Sequence, residues 1–366
     1  MKKLIAIAVI AAHPCFAGHA VLFGTATSLT GKLLIVTLIN YETRIDTDNA
    51  NMIVAPDGSF MTNISLTEPG VYSLRVGSNV LLHLLIKPDD IITLRITKDK
   101  IVCTGSLETQ YLVDYESNRR KVFEKLLQPV YDSLQRAVKS QNGEKLDHWN
   151  EQHKRATENY KAELTTWVKQ PFFVNSIVAI HHSLRWHPDY DTELMDKLVA
   201  NFQRKYPGLK LTSQLTSIVN RTKNIAIGAK APEFRIKSID GHSVDLQSYR
   251  GQFILVDFWA SWCGPCRQES ANLVKLYNAY KEKGFTILSI SIDSNRARWI
   301  AAVKKDGYIW QNVSDLAGYA SPVAVLFNVT AIPYNFLLDK DGTIISKDLR
   351  GKDLEHKLSE LLEEEN

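Results

Sequence analysis

Cys263 and Cys266 stand two residues apart at the end of an apolar run, and Gly264 and Pro265 separate them. Residues 253–256 read as a buried strand, and from about Pro265 the spacing of Gln268, Leu273 and Leu276 becomes helical. Two thiols so arranged can close a small disulfide across the first turn of a helix. The first would lie at the helix N-terminus, where unpaired backbone N–H groups and the helix dipole favour negative charge. That lowers a thiol pKa and yields the thiolate, which is the nucleophile. Cys266, one turn in and expected to be more buried, is suited to resolving a mixed disulfide by attacking Cys263. A structural disulfide or half of a zinc site would use the same pair. Zinc would need a second CxxC or two histidines. The other cysteines, Cys15 and Cys103, have no cysteine or histidine neighbour that completes such a pattern.

The run Asp257-Phe258-Trp259-Ala260, continued by Trp262-Cys263-Gly264-Pro265-Cys266, resembles the active-site segment of thioredoxins almost letter for letter. The resemblance implies a redox pair in which Asp257, six residues before Cys263, helps move a proton on and off Cys266. Without it, a lone aspartate in an apolar strand must find a partner or hold its proton, and such groups are usually functional. Ile332-Pro333 is similar to the cis-proline of that fold, whose loop faces the disulfide and pairs its backbone with an extended substrate. The implied substrate-binding residues are Trp262, Ile332, Pro333 and Tyr334. Most relatives carry threonine after the proline, so the phenol of Tyr334 is a departure expected to narrow or redirect substrate access. Peroxiredoxins share the fold, but their nucleophile needs a threonine three residues earlier, and Ala260 stands there.

The elements around the pair follow from periodicity. Strands alternating with helices over residues 225–366 argue for an α/β layer structure. In this part Ser238 to Gly241 and Asp339 to Gly342 read as hairpin turns, and residues 354–362 as a closing amphipathic helix. The opening at 228–234 and the long stretch between Ile292 and Ile332 resemble thioredoxin-like proteins of the TlpA/ResA type. Residues 21–105 read as short strands, with a hairpin turn at Asp57 to Phe60 pairing the strands on either side of it, another turn at Pro69-Gly70, and residues 81–86 and 91–96 as a further pair, suggesting a small β-sandwich. Residues 106–224 carry helical spacing, with Gln141-Asn142-Gly143 as a turn and shorter helices at 172–184, 193–205 and 212–221. The front parts resemble the N-terminal extensions of such proteins in Bacteroidetes-type bacteria. The expected architecture is therefore an α/β thioredoxin-like domain at 225–366 behind a β-sandwich-like domain at 21–105 and a helical segment at 106–224.

Residues 1–20 read as a secretory signal peptide: Lys2 and Lys3, an apolar run at 4–12, and small residues around Ala17 and Ala20. This points to the periplasm or cell envelope, where disulfides persist. A lipoprotein anchored through Cys15 is disfavoured by Pro14 at the junction. A net charge of +4 over 366 residues, with 45% hydrophobic and 23% charged residues, describes a globular protein with no signal for nucleic acid. His181, His182 and His187 cluster, and His148 and His153 share a helix, but neither set completes a metal site, so no metal and no cofactor are expected. The expected activity is an extracytoplasmic thiol–disulfide oxidoreductase that reduces protein disulfides with electrons from a membrane thiol donor. The Gly264-Pro265 pair is that of thioredoxin, whose couple is strongly reducing, roughly −270 mV. Two alternatives stay open: a disulfide oxidase or isomerase, and an envelope binding protein in which the thioredoxin part is auxiliary. Cytochrome c maturation is one role in the family, and no residue selects it over general thiol repair.

Overall fold

The computed structural model describes residues 18–139, 143–168 and 192–363, which form two compact units. The first takes the chain up to Asn40, with Asp46–Val178 and Asn201–Thr212; the second takes Tyr41–Ile45, Ala179–Ala200 and Ser213–Asn366. Cys15, most of the leader, the turn residues Gln141 and Asn142, the 172–184 segment and His181, His182 and His187 lie outside the described residues.

In the first unit β1 (His19–Thr25), β4 (Ser59–Ser65), β7 (Ile91–Ile96) and β8 (Ile101–Thr104) form one sheet, in the order β4-β1-β7-β8. A second sheet has the order β3-β2-β5-β6, from β2 (Leu33–Leu38), β3 (Thr47–Ile53), β5 (Gly70–Val76) and β6 (Asn79–Ile86). Leu22, Ile64, Ile92 and Leu94 from the first and Leu34, Val36, Leu74 and Leu84 from the second share one core, with Cys103 buried among them. The predicted sandwich is present, but two of its predicted pairings are not. Asp57-Gly58 joins β3 to β4, which lie in different sheets, and Lys87 to Asp90 likewise carries the chain from β6 to β7. Turn chemistry specifies a reversal; it does not say which strand receives the next one. β1 instead runs parallel to β7, and a Cβ on Gly24 would lie 1.8 Å from the Leu94 carbonyl oxygen, so only glycine fits there.

Helices α1 (Leu107–Leu126), α2 (Gln128–Lys139) and α3 (Gly143–Val168) follow. Ser106 caps α1 by accepting the Thr109 N–H, and Thr109 donates to the Leu85 carbonyl of β6. The helical spacing through Leu126 and Val130 is interrupted at Leu127, where Pro129, lacking an N–H, falls in the first turn of α2. His153 of α3 packs edge-on against Tyr131. Helices α4 (Thr192–Lys205) and α5 (Lys210–Asn224) are each divided between the two units.

The second unit is built on a five-stranded sheet of order β13-β12-β11-β14-β15. The short hairpin β9 (Arg235–Lys237) and β10 (Ser243–Asp245) precedes it. Central β11 (Phe253–Trp259) pairs in parallel with β12 (Phe285–Ser291) and antiparallel with β14 (Tyr334–Leu338). β13 (Gln311–Val313) extends the parallel side and β15 (Ile344–Lys347) the antiparallel side, through the hairpin predicted at Asp339 to Gly342. All seven residues of β11 are buried, which accounts for a run that is apolar but for Asp257. Removing side chains such as Leu255 and Phe258 from water contributes roughly 1.5–3 kcal/mol each. Helices α6 (Gly264–Tyr280), α7 (Arg296–Asp306), α8 (Pro322–Leu326) and α9 (Gly351–Glu363) complete this unit, α9 burying Leu354, Leu358 and Leu362. Three parallel strands, then an antiparallel pair, with helices between them, make this the thioredoxin-like α/β fold expected for 225–366.

Candidate functional site

β11 ends at Trp259, and after three intervening residues the chain enters α6 through Cys263 as its N-cap. Capping positions normally hold a small oxygen-bearing residue. Here the cysteine sulfur takes that place and accepts the Cys266 N–H at 3.2 Å. Pro265 lies in the first turn, where its missing N–H costs nothing. Cys263 and Cys266 are joined in a disulfide with Cα atoms 5.3 Å apart. The expected difference in burial is small, since Cys263 is 5% and Cys266 3% exposed. What is open lies around them: Gly264 and Pro265 are exposed, and Trp262 is 58% exposed.

Two groups fix the turn that delivers Cys263. Asp293, just beyond β12 and buried, accepts the Ser261 N–H at 2.8 Å and the Ser261 hydroxyl at 2.6 Å, and Ser291 donates to the same carboxylate. From the other side Arg267 of α6 donates to the Ser261 carbonyl at 3.0 Å while paired with Asp306 of α7. Both polar groups of the Ser261 peptide are thus held by charged partners, which make stronger hydrogen bonds than neutral ones. The sequence reading missed these residues. Ser261 is local, but Asp293 and Asp306 lie 32 and 39 positions from the residues they hold, and no spacing rule reaches that far.

Asp257 is buried in β11, opposite Ser289 of β12 and Asn335 of β14. The Ser289 hydroxyl donates to Asp257 Oδ2 at 3.3 Å and itself accepts the Trp310 Nε1–H at 2.8 Å. One long hydrogen bond does not offset the loss of water from a carboxylate. Burial accordingly pushes the Asp257 carboxyl up from 3.8 to about 7, with Ser289 opposing the rise, Glu269 adding to it and Arg350 opposing it. The lone aspartate of the apolar strand therefore meets both expectations, a partner and a tightly held proton. Glu269 of α6 accepts the Gly351 N–H at 2.9 Å, which ties the helix after the cysteines to the start of α9.

The Ile332-Pro333 peptide is cis. The pairing of Phe258 with Tyr334 brings Pro333 level with Trp259, the last residue of β11. Arg350 donates to the Pro333 carbonyl at 2.5 Å, and Asn335 clamps the adjoining chain by bonding both polar groups of the Leu349 backbone. Ile332 and Pro333 are half-buried. Tyr334 points into the core, 8% exposed, with its ring 5.2 Å from that of Phe336. Of the four residues expected to meet substrate, Trp262, Ile332 and Pro333 reach the surface and the Tyr334 ring is largely covered. Among the described residues, no group of three or more His, Cys, Asp or Glu side chains could hold a metal ion.

Residues 227–347 match the AhpC/TSA family. The thiol-disulfide oxidoreductase ResA of Bacillus thuringiensis (strain Al Hakam) is 30% identical over 133 residues, covering 34% of this chain and 70% of that protein. ResA of Bacillus cereus (strain ATCC 10987) is 29% identical over 143 residues, covering 39% of this chain and 80% of that protein. Among solved structures, the thioredoxin domain of a thiol-disulfide oxidoreductase from Bacteroides vulgatus is 35% identical. It covers 37% of this chain and 98% of that one, with a TM-score of 0.36. A disulfide capping a helix behind a central strand, on this fold and with these relatives, leads to one assignment: the chain belongs to the ResA family of thiol–disulfide oxidoreductases.

Proposed function

We propose that the protein reduces protein disulfides outside the cytoplasm. In the dithiol form the Cys263 thiolate attacks one sulfur of a substrate disulfide; that S–S bond breaks, and its second sulfur leaves as a thiolate that takes a proton. Cys266, giving up its proton to Asp257, then attacks Cys263 and releases the other substrate thiol. Two electrons have passed to the substrate, and the enzyme is left as the Cys263–Cys266 disulfide. A dithiol donor must restore it, and a membrane thiol carrier fits an extracytoplasmic site. Trp262, Ile332 and Pro333 receive the polypeptide around the substrate disulfide, with Tyr334 supporting that surface from beneath. Residues 225–366 form the catalytic domain, preceded by regions at 21–105 and 106–224.

The observation carrying this reading is Cys263 itself, an N-cap sulfur bonded to the Cys266 N–H with Trp262, Gly264 and Pro265 exposed around it. The Gly264-Pro265 dipeptide supports the reducing direction. The expected potential, measured by equilibrating the purified protein against dithiothreitol buffers, lies near roughly −270 mV; a value above roughly −180 mV would make it an oxidant.

Export by a cleaved leader completes the reading. Ala20 is buried in β1, so cleavage after Ala17 leaves that strand whole whereas cleavage after Ala20 removes its first residues. The intact mass of protein recovered from the cell envelope should begin at Gly18. A mass that still includes residues 1–17 would count against export through this leader. Among the described residues, no helix is long and apolar enough to cross a membrane.

A further inference from the structure

Tyr41–Ile45, the connection between β2 and β3, belongs to the second unit although its neighbours on both sides belong to the first. Arg44 in this connection has a left-handed backbone, with φ of 56°, rare for a residue with a side chain. Its guanidinium spreads over three acceptors: Nη1 donates to the Val329 carbonyl and, at 3.4 Å, to the Tyr319 carbonyl, and Nη2 to Asn328 Oδ1 at 3.2 Å. Burial and the nearby Arg221 draw its pKa down to about 10, so it keeps its charge at neutral pH. Arg221 fastens the same connection by donating to the Tyr41 carbonyl at 3.0 Å. Asn328, buried and also left-handed at φ 49°, passes the link on by donating to Thr222.

What Arg44 grips is the segment between β13 and β14, and Tyr319 is its forward point. The Tyr319 ring lies 6.4 Å from that of Trp262, the exposed residue before Cys263. Burial raises the Tyr319 phenol above its ordinary pKa, and the backbone amide of Ile332, one residue before the cis-proline, opposes that rise. One residue thus has its backbone held by Arg44 and its ring beside Trp262, the neighbour of Cys263.

We infer that Arg44 is a positioning residue for substrate recognition: by holding the 319–329 segment it sets Tyr319 between Trp262 and Ile332, and so shapes the surface that meets the polypeptide around a substrate disulfide. It does not touch the reacting sulfurs. This rests on the proposed reading that Trp262 and the proline loop receive substrate. Guanidinium is suited to the task because its planar fork serves several acceptors at once, which an ammonium on a flexible stem does not.

The test uses the full chain in its dithiol form, oxidised either by insulin or by hydroxyethyl disulfide, a small disulfide that needs no such surface. Arg44→Ala is expected to lower the second-order rate constant with insulin by about tenfold, as befits the loss of a charge-assisted hydrogen-bonded group. The rate with the small disulfide and the reduction potential should not change, and Arg44→Lys should fall between. Should Arg44→Ala fail to fold, Tyr319→Ala carries the test, since it removes the ring and leaves the backbone acceptor. An unchanged insulin rate in a folded variant overturns the inference, as does an equal loss with both disulfides. Trp262→Ala separates the two levels. If it slows insulin while Arg44→Ala and Tyr319→Ala do not, the role of Arg44 fails alone. If none of the three slows insulin, the reading of the surface fails with it.

Discussion

Cys263→Ser is expected to reduce disulfide exchange to the background rate, with insulin and small disulfides alike. A serine hydroxyl at this position can still cap α6 and accept the Cys266 N–H, so the fold should survive while the nucleophile is lost. The N-terminus of α6 accounts for the activation of the thiol. A helix terminus favours negative charge in its first turn, so it raises the share of thiol present as thiolate. The cap hydrogen bond from Cys266 acts in the same direction. Cys266→Ser is the complementary case. Attack by Cys263 proceeds, resolution does not, and the protein should accumulate as a mixed disulfide with its substrate, visible as an adduct mass under non-reducing conditions. Turnover surviving in Cys263→Ser, or adducts through Cys266 in that variant, would reverse the assignment of the two sulfurs.

Asp257→Asn should show two effects of opposite sign. The wild-type carboxyl titrates near 3.8 when unfolded and about 7 when folded, so the folded protein binds this proton more tightly. The stability it contributes is fully present below the unfolded value and is lost as pH rises through about 7. An asparagine of the same shape does not titrate. Relative to wild type, the variant should therefore gain stability between pH 4 and 8, reaching roughly 4 kcal/mol from a shift of about three units at 1.36 kcal/mol each. Urea denaturation of the disulfide form at pH 5 and pH 8 measures this, and a difference that does not grow with pH would contradict a carboxyl held protonated by burial. The second effect is kinetic. Without a proton acceptor for Cys266, decay of the mixed disulfide near pH 7 should slow by about a hundredfold, the lower end of what a positioned acid–base group supplies. On the proposed role, the buried acid destabilises the fold at the pH where it would accept a proton, which is common where proton transfer requires a perturbed group.

Local features alone were enough to specify the strand–turn–helix that carries the cysteines. A fully apolar run, a glycine and proline that cannot continue a strand, and a change from continuous to helical spacing act within about twenty residues, and the same holds for the hairpins at Asp240-Gly241 and Asp341-Gly342. The two misassigned pairs in the first unit obeyed the same local rules. Asp57-Gly58 and Lys87 to Asp90 are reversals, but the apolar faces of β3 and β4, and of β6 and β7, are buried by putting the strands in opposite sheets of one sandwich. Alternation tells which face of a strand is buried, and many neighbours can bury it. Only closure of the whole core selects among them.

The same distinction divides the site. Cys263, Cys266, Asp257 and Pro333 were legible because each is defined by its near neighbours in the chain. Ser289 and Trp310 behind Asp257, Asp293 at Ser261, Arg350 at Pro333 and Arg44 at Tyr319 were not, because strand register and segment packing bring them in from 17 to 275 residues away. Sequence alone determined which two sulfurs form the candidate redox pair, since such a pair needs only two cysteines at the start of a helix. Tertiary structure decided how the Asp257 proton is held and which side chains stand exposed around the disulfide. Both depend on desolvation and on hydrogen bonds between distant segments, and neither exists until the chain has closed around them.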